Sequence, residues 1–377
     1  GDIYLGNVRK VVQGLNAAFI DIGYEKDAFL HYLDLGPKFK SFEKYTKGVV
    51  GGKRNSSSLD VAFEPDIEKT GKIEKTLKSN QNILVQISKE PISTKGPRLS
   101  SEISLAGRYI VLVPFSEKIS VSQKIKKTEE KDRLIRLIKS IKPKGFGVII
   151  RTVAQDKKVA DLHADMSELV ERWDLCYATL KNGHAPKKVL GELNRTASIL
   201  RDILNPSFTN IHVNDEALYN ETKLFLKSIA PEKENIVKHY TGKLPIFENF
   251  GIEKQIKTSF GKNVTLKTGI YLIIEHTEAL HVIDINSGNR GKKQDKTQEE
   301  NALEVNLEAA EEVARQLRLR DMGGIIVVDF IDLREAANRK LLHDKMKEFM
   351  KGDRAKHNVL PPSKFGLVQI TRQRVRP

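Results

Sequence analysis

Two apolar, β-branched stretches of this chain each carry an aspartate at their end. Residues 279–286 (ALHVIDIN) read as a strand bearing Asp284, and residues 325–332 (IIVVDFID) as a buried strand bearing Asp329. Between them, residues 297–320 place Ala302, Val305, Ala309, Val313 and Leu317 on one helical stripe. A strand–helix–strand unit makes the two strands neighbours and brings both carboxylates to one sheet edge. Such a pair suits a hard, oxygen-preferring cation such as Mg²⁺. Asn286, two residues after Asp284, points to the same face and could orient a carboxylate or bind a phosphate. Ser287-Gly288 then makes a tight turn where a substrate can approach. The alternative is structural, with Asp284 capping a turn and Asp329 pairing with an arginine of the Arg318–Arg320 cluster. A carboxylate ending a Val-Val run is costly unless paired or metal-bound, and two such strands together favour the functional reading. Asp332 falls on the opposite face of a regular strand and is a lesser candidate.

Other chemistries find no support. There is no GxSxG elbow and no phosphate-binding P-loop. The nine histidines do not cluster at metal-ligand spacing. The single cysteine, Cys176, shares an apolar helical stretch with Leu169, Trp173 and Leu180, where a packed thiol is expected. One cysteine makes no intrachain disulfide and no zinc cluster, consistent with a reducing, cytoplasmic setting.

The elements around these residues are of mixed type. Short glycine-punctuated strands in residues 1–30 suggest a small barrel, with residues 82–87 as a further strand. Phe19 and Phe29 lie on neighbouring strands, where they either stack bases or fill the core. Residues 36–60, with six Lys/Arg among Gly and Ser, read as a mobile basic loop, either a solvated insertion or an RNA contact. Strands are expected at 109–114 and 147–152, and helices at 129–141, 158–180, 186–204 and 335–350. Arg151 and Thr152 close an apolar strand; their nearest acidic partner in sequence is Asp156.

At 377 residues the chain has room for roughly two to four compact units. Its 39% hydrophobic and 30% charged residues describe an ordinary globular protein. The formal charge of +15 favours a polyanionic partner, nucleic acid foremost; a basic protein without such a partner is the other reading. No run approaches the ~18 apolar residues of a membrane helix. The chain opens on Gly1 rather than Met and reads as a fragment.

The motifs EALHVIDINSG, NLEAAEEVARQLRLRDMGGIIVVDFIDL and FGLVQITRQRVRP closely resemble the catalytic core of the ribonuclease E/G family. The opening GNVRKVVQGLNAAFIDIGYEKDAFLH resembles the family's S1 RNA-binding barrel. The resemblance runs in order over nearly the whole chain and is weakest at 36–75 and 155–205. It implies an α+β, multi-unit fold: an S1 (OB-fold) barrel at 1–102, a 5′-sensor region at 103–207, a ribonuclease H-like unit at 208–259 and a DNase I-like α/β catalytic unit at 260–377. It implies that Asp284 and Asp329 hold Mg²⁺ with Asn286 orienting Asp329. It implies that Arg151, Thr152 and Val111 receive a 5′-monophosphate, and that Phe19, Phe29 and Lys95 contact RNA. The residue after Asp353-Arg354-Ala355 can be arginine in the family. Here it is Lys356, an implied RNA contact that keeps the charge but lacks the bidentate fork. The family's strands before the barrel, its two-cysteine zinc link and its small domain have no counterpart in these motifs. The implied activity is Mg²⁺-dependent cutting of single-stranded, A/U-rich RNA to 5′-phosphate products, in RNA processing and decay, with a homo-oligomer in the full-length protein. The rival classes are a non-catalytic RNA-binding protein, which would lose a carboxylate, and a DNA nuclease.

Overall fold

The structure, a computed structural model, describes residues 1–60, 62–91, 95–181, 183–205, 207–288, 297–363 and 366–374. Of the motif residues above, Phe365 and 375–377 lie outside the described residues. The chain folds as two compact units, Gly1–Tyr240 and Thr241–Pro377.

The first unit opens with an antiparallel meander of β1 (Ile3–Val12), β2 (Ala17–Asp21) and β3 (Ala28–His31). Helix α1 (Phe39–Val50) leads on to β4 (Asn82–Lys89) and β5 (Arg98–Ser100). Strand β5 runs parallel to β3 and antiparallel to β4, and β4 pairs back onto β1. The result is a closed five-stranded barrel, consistent with an OB-fold. Val8, Ala18, Ile20, Ala28, Leu30, Val85 and Leu99 belong to its core.

A four-stranded sheet follows, built from β6 (Leu105–Ala106), β7 (Ile110–Pro114), β8 (Ile119–Val121) and β9 (Phe146–Ile150), in the order β6-β7-β9-β8. Helices α2 (Thr128–Ile141) and α3 (Val159–Lys181) belong with it. Ile3, Leu5 and Leu84 of the barrel strands share one apolar core with Ile110, Val148 and Trp173. Barrel and sheet are therefore welded by a common interior. Cys176 is buried in that core, and burial pushes its thiol up to about 12. A packed, unreactive thiol is what the helical pattern suggested. The unit ends with β10 (Lys187–Leu190), α4 (Arg195–Ile203), β11 (Ile211–Val213), α5 (Glu216–Ile229) and β12 (Val237–His239).

Two expectations for this unit are corrected. Within the basic loop expected at 36–60, residues 39–50 form α1. Its lysines mask an apolar stripe of Phe39, Phe42, Tyr45 and Val49, all buried. Phe42 and Tyr45 meet Phe115 at 4.6 and 5.5 Å, and Tyr45 also meets Trp173 at 5.5 Å. Several of the cations are committed internally. Lys38 pairs with Asp66 at 2.6 Å, Lys47 with Glu43 at 2.5 Å, and Lys44 with Glu64. The helix expected at 186–204 is instead a strand followed by a shorter helix. Residues 187–190 add to β1, burying Val189 and Leu190. The helix starts only where the Asn194 side chain accepts the Ala197 N–H at 2.7 Å.

The second unit begins with the short helices α6 (Ile246–Asn249) and α7 (Ile252–Ser259). A six-stranded sheet follows: β13 (Asn263–Thr265), β14 (Tyr271–His276), β15 (Leu280–Asn286), β16 (Gly324–Asp329), β17 (His357–Val359) and β18 (Val368–Arg372). The spatial order is β13-β14-β15-β16-β18-β17, and β15–β16 is its parallel pair. The crossover between these two is α8 (Gln298–Leu319), started by a capping box of Thr297 and Glu300. Helix α9 (Ala336–Met350) follows β16. Ile274, Ile283, Val313, Leu317, Val328 and Met346 form part of one core, so the helices cover one face of the sheet. Among the described residues no helix is long and apolar enough to cross a membrane.

One buried ion cluster pins β18. Arg372, 4% exposed, donates through Nε to Asp353 at 2.7 Å and through Nη1 to Asp321 and to the Met322 carbonyl, both at 2.8 Å. Burial works to raise the Asp353 carboxyl, but the Arg372 and Ala355 hydrogen bonds outweigh it and hold it below the ordinary value. Arg372→Met strands a buried carboxylate and is expected to cost about 3–5 kcal/mol at neutral pH. The ionic contribution is present above the unfolded carboxyl value of about 3.9 and fades as pH falls through the lower folded value. Urea midpoints of both proteins at pH 7 and pH 3 check this. A gap unchanged in acid would assign the loss to packing instead.

Candidate active site

Asp284 and Asp329 are direct register partners across the parallel β15–β16 pair. Alternation along β15 buries Ile283 and Ile285 against the helices and turns Asp284 and Asn286 to the other face. The same alternation on β16 buries Ile326 and Val328 and leaves Asp329 exposed. The expected pairing of two carboxylates at one sheet edge is therefore present.

Among the described residues neither aspartate has a Lys or Arg partner. Arg318 reaches the Phe349 carbonyl, and Arg320 reaches Gln316 and the Ser259 and Gly261 carbonyls. The alternative in which this cluster neutralises Asp329 is thus excluded. Partial burial, then the Asp284 and Asp332 carboxylates, push the Asp329 carboxyl above its ordinary value. Asp332 thus lies closer to the site than strand alternation suggested. β16 ends at Asp329, so the two-residue period no longer applies.

Asn286 Nδ2 donates to Asp284 Oδ2 at 2.8 Å. In this structure the carboxylate it contacts is Asp284, which same-face spacing on one strand brings beside it. Just beyond, Gly288 has φ +61, and a Cβ there would lie 2.0 Å from the Gly269 carbonyl oxygen. The glycine is required by a backbone crossing beside the carboxylates. Two helix residues, neither apparent in the sequence, shape the other side of the site. Asn306, fully buried on α8, accepts the Ile331 N–H at 2.9 Å and donates to the Ile331 carbonyl at 2.7 Å. Glu299 accepts the Arg334 and Glu335 N–H groups at 3.0 and 3.1 Å. Together they fasten the segment that follows Asp329 to α8.

The donor set suits Mg²⁺, which keeps several waters and takes one or two carboxylates. Among the described residues no group of three or more His, Cys, Asp or Glu is placed to hold a metal, so water would complete the shell. An unpaired pair of carboxylates with oxygen donors only is the arrangement such an ion stabilises.

The remaining sequence candidates lie in separate places. Val111 on β7 faces Ile149 on β9, and Arg151 follows on the same outward face. Arg151 donates to Asp202 at 2.6 Å and to the Gly107 carbonyl at 2.7 Å. Its acidic partner is Asp202, not Asp156. The Thr152 hydroxyl lies 2.9 Å from that of Ser122. Phe19 and Phe29 are direct cross-strand partners with rings 5.9 Å apart, both half-buried on the outside of the barrel. Small and aliphatic neighbours fill the interior, so the core reading of the two aromatics does not hold. Lys95 is exposed at the approach to β5. Lys356 sits at the opposite end of the sheet from the aspartates. It lines a cavity of about 370 Å³ with Gly324, Asn358, Thr371 and Gln373. Gly324 and Asp329 bound the same strand, which spans roughly 16 Å.

The sequence model of the Ribonuclease E/G family matches residues 104–375. The chain belongs to this family. Ribonuclease G of Escherichia coli (strain K12) is 34% identical over 376 residues, covering 100% of this chain and 73% of that protein. Ribonuclease G of Haemophilus influenzae is also 34% identical, with 100% and 72% covered. Ribonuclease E of a Nostoc strain is 34% identical over 378 residues, 99% of this chain and 51% of that longer protein.

Gly288→Ala is expected to destabilise this family member by about 1–3 kcal/mol, from positive φ and backbone overlap together. Gly269→Ala, whose Cβ would meet nothing within 4 Å, should cost only the ~1–2 kcal/mol of the left-handed conformation. Thermal unfolding of the two variants side by side tests the contrast. Equal losses would remove the case for a close crossing at Gly288.

Proposed function

We propose that this chain is the catalytic part of a Mg²⁺-dependent endoribonuclease that cuts single-stranded RNA. The observation that carries the reading is the register pairing of Asp284 with Asp329, with no Lys or Arg partner among the described residues, in a chain of the ribonuclease E/G family. Asp284 and Asp329 would hold the ion, and Asn286 fixes the Asp284 carboxylate. Mg²⁺ bound there supplies charge neutralisation at the scissile phosphate. Phe19 and Phe29 offer ring faces on which bases stack, and Lys95 and Lys356 offer cations to phosphates. The same reading includes 5′-phosphate products, a role in ribosomal RNA processing and messenger RNA decay, a cytoplasmic setting, and self-association of the full-length protein.

Asp284→Asn and Asp329→Asn are expected to lower cleavage of a single-stranded RNA by about a thousandfold, the ~4 kcal/mol of losing metal charge stabilisation. RNA affinity should change little. Rates with matched RNA and DNA oligonucleotides in saturating Mg²⁺ are the measurement. Near-wild-type turnover by either variant removes the metal assignment, and equal cutting of DNA removes the substrate assignment.

A second test concerns the substrate's 5′ end. Arg151 uses two of its N–H donors on Asp202 and Gly107, and the guanidinium has five, so donors remain for a terminal phosphate. Arg151→Ala should slow cleavage of 5′-monophosphorylated RNA roughly ten- to a hundredfold, the loss of one charge-assisted bond. The same RNA with a 5′-hydroxyl should be barely affected. Equal slowing of both would make Arg151 a structural residue.

A further inference from the structure

The helix-covered face of the six-stranded sheet carries two histidines, five residues apart in sequence, that the β14–β15 hairpin brings side by side. His276 and His281 are cross-strand partners at the end of this hairpin. Their Nδ1 atoms lie 2.6 Å apart, with rings perpendicular at 89° and centroids 4.7 Å apart. On its far side, His281 Nε2 lies 3.1 Å from the Gly323 carbonyl oxygen. A carbonyl only accepts, so Nε2 carries the proton and the neutral ring presents a lone pair at Nδ1. That lone pair faces His276, whose Nδ1–H donates to it. In its other tautomer His276 turns a second lone pair toward the same point. The turn between them is tight, because the Thr277 N–H and hydroxyl both donate to the Leu280 carbonyl, at 2.9 and 2.7 Å.

We propose that His276 and His281 form a binding site for a divalent transition metal ion that prefers imidazole, such as Zn²⁺ or Cu²⁺, separate from the carboxylate pair. A ligating histidine usually donates its other ring nitrogen to a carbonyl or carboxylate, which fixes tautomer and orientation; Gly323 fills that role for His281. Ligation also needs a neutral ring. Burial, then His281 and the Arg320 and Arg374 guanidiniums, lower the His276 pKa and favour that form at neutral pH. Two nitrogens at 2.0–2.1 Å from a tetrahedral ion stand about 3.3 Å apart. Opening the present contact by about 0.7 Å takes a small rotation of the exposed His276. Water completes the shell, since no third His, Cys, Asp or Glu joins the pair among the described residues. The two nearby guanidiniums oppose a cation, so binding is weaker than at a closed four-ligand site. The hard Mg²⁺ ion selects carboxylate and water over imidazole, so the two sites take different metals on opposite faces of one sheet.

Calorimetric titration of the 377-residue chain with Zn²⁺, in saturating Mg²⁺ at pH 7.5, is expected to show one added equivalent. Cu²⁺ in its place should give an electron paramagnetic resonance spectrum coupled to two imidazole nitrogens. His276→Ala, an exposed change, and His281→Gln, which keeps a donor for Gly323, should each weaken Zn²⁺ at least tenfold with unchanged circular dichroism. Asp284→Asn should leave Zn²⁺ binding intact. Zn²⁺ binding that survives both histidine changes, or none at millimolar Zn²⁺, overturns the site. The readout is binding alone, so it stands or falls independently of whether the chain cuts RNA.

Discussion

The parallel register between β15 and β16 is the constraint on which the catalytic reading depends. A shift of one residue would turn one aspartate toward the helices and bury its charge. Parallel strands require a crossover, and α8 is that crossover. Its Val305, Ala309, Val313 and Leu317 are buried against the sheet. Asn306 then grips the Ile331 backbone, and Glu299 grips residues 334 and 335. One helix therefore sets the pairing of the two strands and holds the segment leaving the second. Loosening α8 would disturb register and site together.

Charge is treated in opposite ways at the two ends of this sheet. Near Gly324, Arg372 is buried but saturated by Asp353, Asp321 and a carbonyl. At the other end Asp284 and Asp329 share an edge with no Lys or Arg partner among the described residues, and Asp332 adds to the field. Folding alone gains nothing from like charges held together, because they repel one another. An ion that binds only the folded arrangement offsets that repulsion and stabilises the unit by mass action.

Regular elements with one clear period were legible in the sequence, and so was the aspartate pair. The apolar stripe of α8 and the β-branched run of β16 announced themselves, and together they implied neighbouring carboxylates. The α1 stripe did not, because Lys38, Lys40, Lys44 and Lys47 dominate its composition while Phe42 and Tyr45 are spent on a core that only folding assembles. Strand β10 was hidden for a related reason: Val189 and Leu190 are buried by β1, nearly the whole first unit away in sequence. Asp202 as the Arg151 partner and Asn306 as a backbone clamp are both products of tertiary packing. No local pattern encodes them. Phe19 and Phe29 illustrate a finer limit. Alternation told which residues share a face, but not which face is the interior, and that was decided by Ala18, Ile20, Ala28 and Leu30.

The pairing of Arg151 bears on what a 5′-phosphate could do at that position. Asp202 also contacts Arg201 at 3.3 Å, and Arg201 contacts Glu192 at 2.9 Å. Arg151 is therefore ordered before any substrate arrives, so little side-chain entropy remains to be lost on binding. The same carboxylate shares the guanidinium and repels an incoming anion. These effects oppose each other, and the net preference is smaller than for a lone arginine in a dry pocket. Under the proposed function, an arginine built this way would bias the choice between RNA ends without making a phosphate obligatory. On the same reading, binding of 5′-hydroxyl RNA would then rest on contacts elsewhere, such as the half-buried aromatic pair on the outside of the barrel, whose ring faces do not discriminate between termini.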